Sequence, residues 1–141
     1  MQAPNRLPPA TTVLLIARDA ESGRPYREAL AAAGHGVITG ADTVSALRRA
    51  MQVGVDAVLV EADAQPLDGF AVAAILAAHA STAKLPVLIL ADREDQGLRS
   101  RAREAGAAGV LVQPQPAALT AVVARRLRGR GTPAPPLVAT N

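Results

Sequence analysis

The stretch DAVLVEADAQPLDGF, residues 56–70, decides the reading of this chain. After Asp56 it runs apolar through Val60, the pattern of a strand buried on both faces and therefore of a parallel sheet. Its second half turns polar, carries Pro66, and ends in Asp68-Gly69 ahead of a second apolar stretch. Asp68 is placed to cap a helix there, with Phe70, Ala73, Ala74 and Ala77 as the expected buried face. Strand, loop and capped helix in that order make one half of a β-α-β unit.

Working outward, the same alternation repeats. Upstream, TVLLI (12–16) reads as a strand, followed by a helix capped at Ser22, with Pro25 in its first turn and Gly34 as its stop. Val37-Ile38-Thr39 is a short second strand, and Asp42 or Thr43 caps the helix that runs to Gly54. The strand inside the opening stretch takes in Val55–Val60. Downstream, PVLIL (86–90) and GVLV (109–112) are strands. A helix carrying Leu98, Ala102 and Ala105 lies between them, and Pro116 opens a last helix with Leu119, Val122, Val123 and Leu127 facing inward. Five buried strands separated by five helices require a doubly wound parallel sheet covered on both faces. The folded unit is expected over 11–128, with a flexible leader at 1–10 and a disordered Gly/Pro-rich tail at 129–141.

Composition narrows the function classes. The chain has 141 residues, no cysteine and 50% hydrophobic residues, with Tyr26 and Phe70 as its only aromatics. Thiolate metal sites and disulfides are excluded, and the core must be aliphatic. No apolar run approaches the ~20 residues of a membrane span. The N-terminus lacks a secretory apolar stretch, so a cytoplasmic protein is expected. Net charge is +3, with arginines grouped at 99–103 and 125–130. No aromatic is interleaved with them to stack bases, so they read as solvated helix faces and nucleic-acid binding is not expected. His35 and His79 lack converging partners for a metal. ARDAESG after the first strand has no glycine spacing for a phosphate loop.

A doubly wound sheet presents its site at the carboxyl ends of the strands. The residues there are Ala17, Arg18, Asp19, Glu61, Asp63, Ala91, Asp92, Gln113 and Pro114. Their order and the segments around them (VLLIARD, GHGVITGADTVSAL, DAVLVEADAQPLDGF, LPVLILAD and EAGAAGVLVQP) resemble the receiver domain of two-component response regulators. The resemblance covers about 11–128 and implies a flavodoxin- or CheY-like (βα)5 fold with strand order 2-1-3-4-5.

The resemblance also marks what is missing. Receivers hold Mg²⁺ with an acidic pair and an acceptor aspartate; here the pair aligns with Ala17 and Arg18, and the acceptor with Glu61. Spacing to Asp68-Gly69 selects Glu61 over Asp63. Ala91 stands for the hydroxyl residue, Gln113 for the lysine and Val110 for the aromatic switch. The expectation is therefore a degenerate pseudo-receiver, not an enzyme, without Mg²⁺ or another cofactor, acting by protein–protein interaction in two-component signalling. Two side-chain arrangements stay open for Arg18 and Glu61: an ion pair where receivers keep the metal, or both groups in solvent. The proline of the family's Lys-Pro pair persists as Pro114, expected to follow a cis bond. The family's interaction face, the fourth helix, fifth strand and fifth helix, carries Arg99, Arg103, Val110 and Arg125, for a protein partner or a second copy. The alternative functions are a phosphorelay receiver with unusual acceptor chemistry and a weakly nucleic-acid-binding basic module.

Overall fold

The computed structural model describes residues 11–131, the side chains of 129–131 excepted. The expected leader at 1–10 and the tail beyond 131 lie outside the described residues. Ten elements alternate: β1 (Thr12–Ile16), α1 (Ala20–Ala32), β2 (Gly36–Thr39), α2 (Thr43–Val53), β3 (Ala57–Glu61), α3 (Gly69–Ala78), β4 (Val87–Ala91), α4 (Leu98–Glu104), β5 (Gly109–Val112) and α5 (Pro116–Gly131). The strands form one parallel sheet in the order β2-β1-β3-β4-β5. Every residue of β3 and β4 is buried, as their unbroken apolar runs require.

The two sheet faces hold separate cores. On one, Leu14, Ile16, Val58, Val60 and Ile89 meet Leu47 of α2, Leu76 of α3 and Leu98 of α4. On the other, Val13, Leu15, Leu59, Leu88 and Leu90 meet Leu30 of α1 and Leu119 and Val123 of α5. The alternation of odd and even residues along each strand follows from side chains pointing to opposite faces.

Several expectations shift. The third and fourth strands start and end one or two residues later than read, so Glu61 and Ala91 become the last strand residues. Asp56, just ahead of β3, accepts the backbone N–H of Thr12 on its carboxylate at 2.8 Å. The α1 cap is Asp19, not Ser22: Asp19 Oδ1 accepts the Ser22 N–H at 2.8 Å. That moves Pro25 beyond the first turn, where it supplies no N–H to the preceding turn. Asp42 caps α2 through Ser45 N–H at 2.7 Å. Thr43 is fully buried and its hydroxyl accepts the Leu67 N–H at 2.9 Å, tying α2 to the loop after β3. In α3 the buried residues are Gly69, Val72, Ala73 and Leu76. Ala74 and Ala77, expected on the buried face, are exposed; a helix apolar all round carries no periodicity from which that face can be read. The last helix runs to Gly131, past the boundary expected at 128.

Candidate functional site

Register sets the site. Ile16 pairs with Val60, Glu61 with Leu90, and Ala91 with Val112, so the residues after β1, β3, β4 and β5 emerge side by side. Between them lies a cleft of ≈ 440 Å³ bordered by Arg18, Ser22, Tyr26, Glu61, Ala91 and Gln113.

Arg18 is the hub. Its Nη1 lies 3.1 Å from both carboxylate oxygens of Asp63 and 3.3 Å from Asp92 Oδ2, and it donates hydrogen bonds to both residues. The same nitrogen is 3.7 Å from Glu61 Oε1. One cation thus sits among three carboxylates from the ends of β3 and β4. The hydrogen bond to Asp63, then the charge of Glu61, hold its guanidinium still more firmly protonated than usual. Neither arrangement expected for Arg18 and Glu61 is met in full: Glu61 is buried, and the two side chains stand within ion-pair range but beyond hydrogen-bond length. The guanidinium donors, however, go to Asp63 and Asp92.

Glu61 is 6% exposed. Its Oε1 accepts the backbone N–H of Arg18 at 2.6 Å and the Ser22 hydroxyl at 3.2 Å. A buried carboxylate needs such donors, and charge-assisted bonds of this kind are the stronger class. Gly69 lets α3 start directly above it: a Cβ there would stand 2.9 Å from the Glu61 carbonyl oxygen.

The remaining positions carry little reactive chemistry. Ala91 is buried at the end of β4, and its carbonyl accepts the Gln113 N–H at 2.8 Å. Gln113 is exposed and adopts a left-handed φ of 41°. The Gln113–Pro114 bond is trans, correcting the expected cis proline; among the described residues the cis bond is Gln65–Pro66. Trans is the lower-energy form of an X-Pro bond by ~0.5–1 kcal/mol. The chain turns through the backbone of Gln113 instead. The Pro114 carbonyl accepts the Tyr26 hydroxyl at 2.9 Å, joining α1 to the end of β5. Burial, followed by the charges of Glu61 and Asp92, raises the tyrosine pKa above its ordinary 10.0.

Sequence reasoning placed Asp63 and Asp92 near the site without assigning them Arg18. It also gave Ser22 to helix capping and missed its bond to Glu61. The signal was present: both aspartates lie within two residues of a strand end, Asp63 after β3 beside the strand that leads to Arg18 and Asp92 after β4 one strand further on.

On the expected interaction face, Arg103 and Arg125 are exposed. Arg99 pairs with Glu94 at 2.9 Å and reaches the Val110 carbonyl at 3.4 Å. Val110 is 7% exposed and packs into the core beside Leu98 and Ala102, so its side chain is not part of a surface. As an aliphatic residue it gains more from that burial than from solvent. His79 bonds its own helix through the Ile75 carbonyl at 2.9 Å, and His35 bonds the Thr11 hydroxyl.

No protein-family model and no curated protein matches the sequence. Solved structures do. The putative response regulator from Chloroflexus aurantiacus J-10-fl is 26% identical with a TM-score of 0.79, covering 84% of this chain and 98% of that one. The chemotaxis response regulator CheY4 of Vibrio cholerae is 23% identical with a TM-score of 0.76, covering 82% and 98%. The receiver domain of a signal transduction histidine kinase from Syntrophus aciditrophicus is 20% identical with a TM-score of 0.79, covering 92% and 100%. Strand order, helix placement and nearly full coverage agree: the chain has the fold of a response-regulator receiver domain.

Proposed function

We propose that this chain is a cytoplasmic pseudo-receiver, a signal-transduction module that acts by binding a protein partner and not by accepting a phosphoryl group. The observation that carries the reading is Arg18 Nη1 set among Asp63, Asp92 and Glu61. Mg²⁺ requires oxygen ligands in near-octahedral geometry. Here the candidate oxygens already face a guanidinium, whose charge would repel a second cation. The residues do not fit the metal.

The rest of the site supports the same conclusion. A phosphoryl group needs cations and donors wherever its charge develops. Ala91 and Gln113 offer neither a hydroxyl nor an ammonium, and the inward oxygen of Glu61 is occupied by Arg18 N–H and Ser22. What the arrangement does is tie the ends of β1, β3 and β4 together in one geometry. Such a module presents a constant surface to its partner.

The test is incubation with acetyl phosphate and Mg²⁺, followed by intact-mass measurement. The expected result is an unmodified chain. A stoichiometric phosphate adduct on Glu61 or Asp63 would overturn the proposal in favour of a phosphorelay receiver with unusual acceptor chemistry.

A further inference from the structure

At the end of the sheet opposite Arg18, a cleft of ≈ 750 Å³ opens between the segments leading into β4 and β5 and the flank of α5. Its floor is apolar: Leu85, Pro86, Ala108 and Val122, all half-buried. Its rim is cationic: Lys84, Arg125 and Arg126, all exposed. Among the described residues no carboxylate lines it.

The rim contrasts with the arginines that carboxylates neutralise. Arg18, Arg24 and Arg99 each have a carboxylate partner. Among the described residues none of Lys84, Arg125 and Arg126 has one. Arg126 is instead held by a single bond from Nη2 to the Ala108 carbonyl at 3.0 Å, which parks its guanidinium at the cleft edge. A guanidinium has five donors, so most of its fork remains for a ligand. Three uncompensated cations around a half-buried apolar floor form a surface whose complement is equally specific.

We infer that this cleft docks an acidic segment of a partner protein, with apolar side chains seated on Leu85, Pro86, Ala108 and Val122 and flanking carboxylates on Lys84, Arg125 and Arg126. Arginine forks suit carboxylates because they grip both oxygens. A nucleic acid is disfavoured by the floor. It has no aromatic to stack a base, since Tyr26 is bonded to Pro114 and Phe70 lies under the Arg101 guanidinium at 4.4 Å. The inference names the partner chemistry for the interaction proposed above and rests on that reading only in taking the partner to be a protein. The cleft is remote from Glu61, so phosphorylation of the chain would leave it standing.

The probe is a synthetic peptide alternating leucine with aspartate and glutamate, titrated into the full chain by calorimetry at low salt. Binding is expected to weaken about tenfold, ~1.4 kcal/mol, in Arg125→Glu and again in Lys84→Glu, with unchanged thermal melts. Arg49→Glu on α2 makes the same charge change away from the cleft and is expected to bind as the parent does. Equal weakening in Arg49→Glu would reduce the effect to overall charge and overturn the inference. So would equal binding of a leucine-free acidic peptide, tighter binding of duplex DNA at the same residues, self-association through Arg125, or no binding of the probe.

Discussion

Arg18 carries a positive charge at a point where three strand-end carboxylates converge, and its removal exposes them to one another. Arg18→Ala leaves Glu61, Asp63 and Asp92 without their common counter-charge. Asp63 and Asp92 are more than half exposed, with side-chain accessibilities of 56% and 62%, so water screens much of the repulsion. The expected loss is therefore modest, about 1–2 kcal/mol in chemical denaturation, greater at low salt than at high salt. An unchanged midpoint at low salt would show that the cluster does not stabilise the fold. Glu61 was legible from the sequence because its spacing to Asp68-Gly69 is local. The partners of Arg18 were not, because they depend on which loops lean together once the sheet has formed. The trans Gln113–Pro114 bond was not legible either, because the chain turns at Gln113 through a left-handed φ that no local pattern announces.

Helix starts offer a titratable handle. The carboxylates of Asp19 and Asp42 cap α1 and α2, and the backbone N–H groups of Ser22 and Ser45 hold each carboxyl pKa below its ordinary 3.8. Because the folded value is depressed, the unfolded chain binds protons first as pH falls. The stabilisation is complete above 3.8 and is lost as pH drops through the lower folded value. A series of thermal melts from neutral pH down to strongly acidic pH is expected to show this loss. In Asp19→Asn the fall should be shallower, since an amide has no proton to take up. A variant that tracks the parent at every pH would exclude the α1 cap as a contributor. Most elements could be read from their apolar periodicity, and Asp42 and Asp68 from their position before it. The first helix began earlier than read because Asp19 and Ser22 are both competent caps, and only the end of β1 decides between them. The buried face of α3 was unreadable since GFAVAAILAA has no polar side to mark solvent.

At the scale of the whole molecule the two ends of the sheet differ in charge. The carboxyl ends of the strands hold a cation already neutralised by carboxylates, while the opposite end holds three cations that are not. A ligand that binds only the folded state raises its stability in proportion to the logarithm of concentration over Kd. Millimolar Mg²⁺ is therefore expected to leave the melting temperature of this chain unchanged at constant ionic strength. A dose-dependent rise, absent with the same concentration of a monovalent salt, would mean that the cation displaces Arg18. The parallel sheet was legible because buried strands alternate with helices, and its strand order because the segments resemble those of receivers. The cleft between β4, β5 and α5 was not, because it is assembled from three segments whose contact no local pattern announces.

Tyr26 brings a practical consequence. The chain has one tyrosine and no tryptophan, so its near-ultraviolet absorbance and intrinsic fluorescence originate almost entirely from a single ring. That ring sits where α1 meets the end of β5, with its hydroxyl on the Pro114 carbonyl. The protein is thus born with a one-site optical reporter. Any event that loosens this corner, from a partner's arrival to the first step of unfolding, can be followed in unlabelled material without deconvolution.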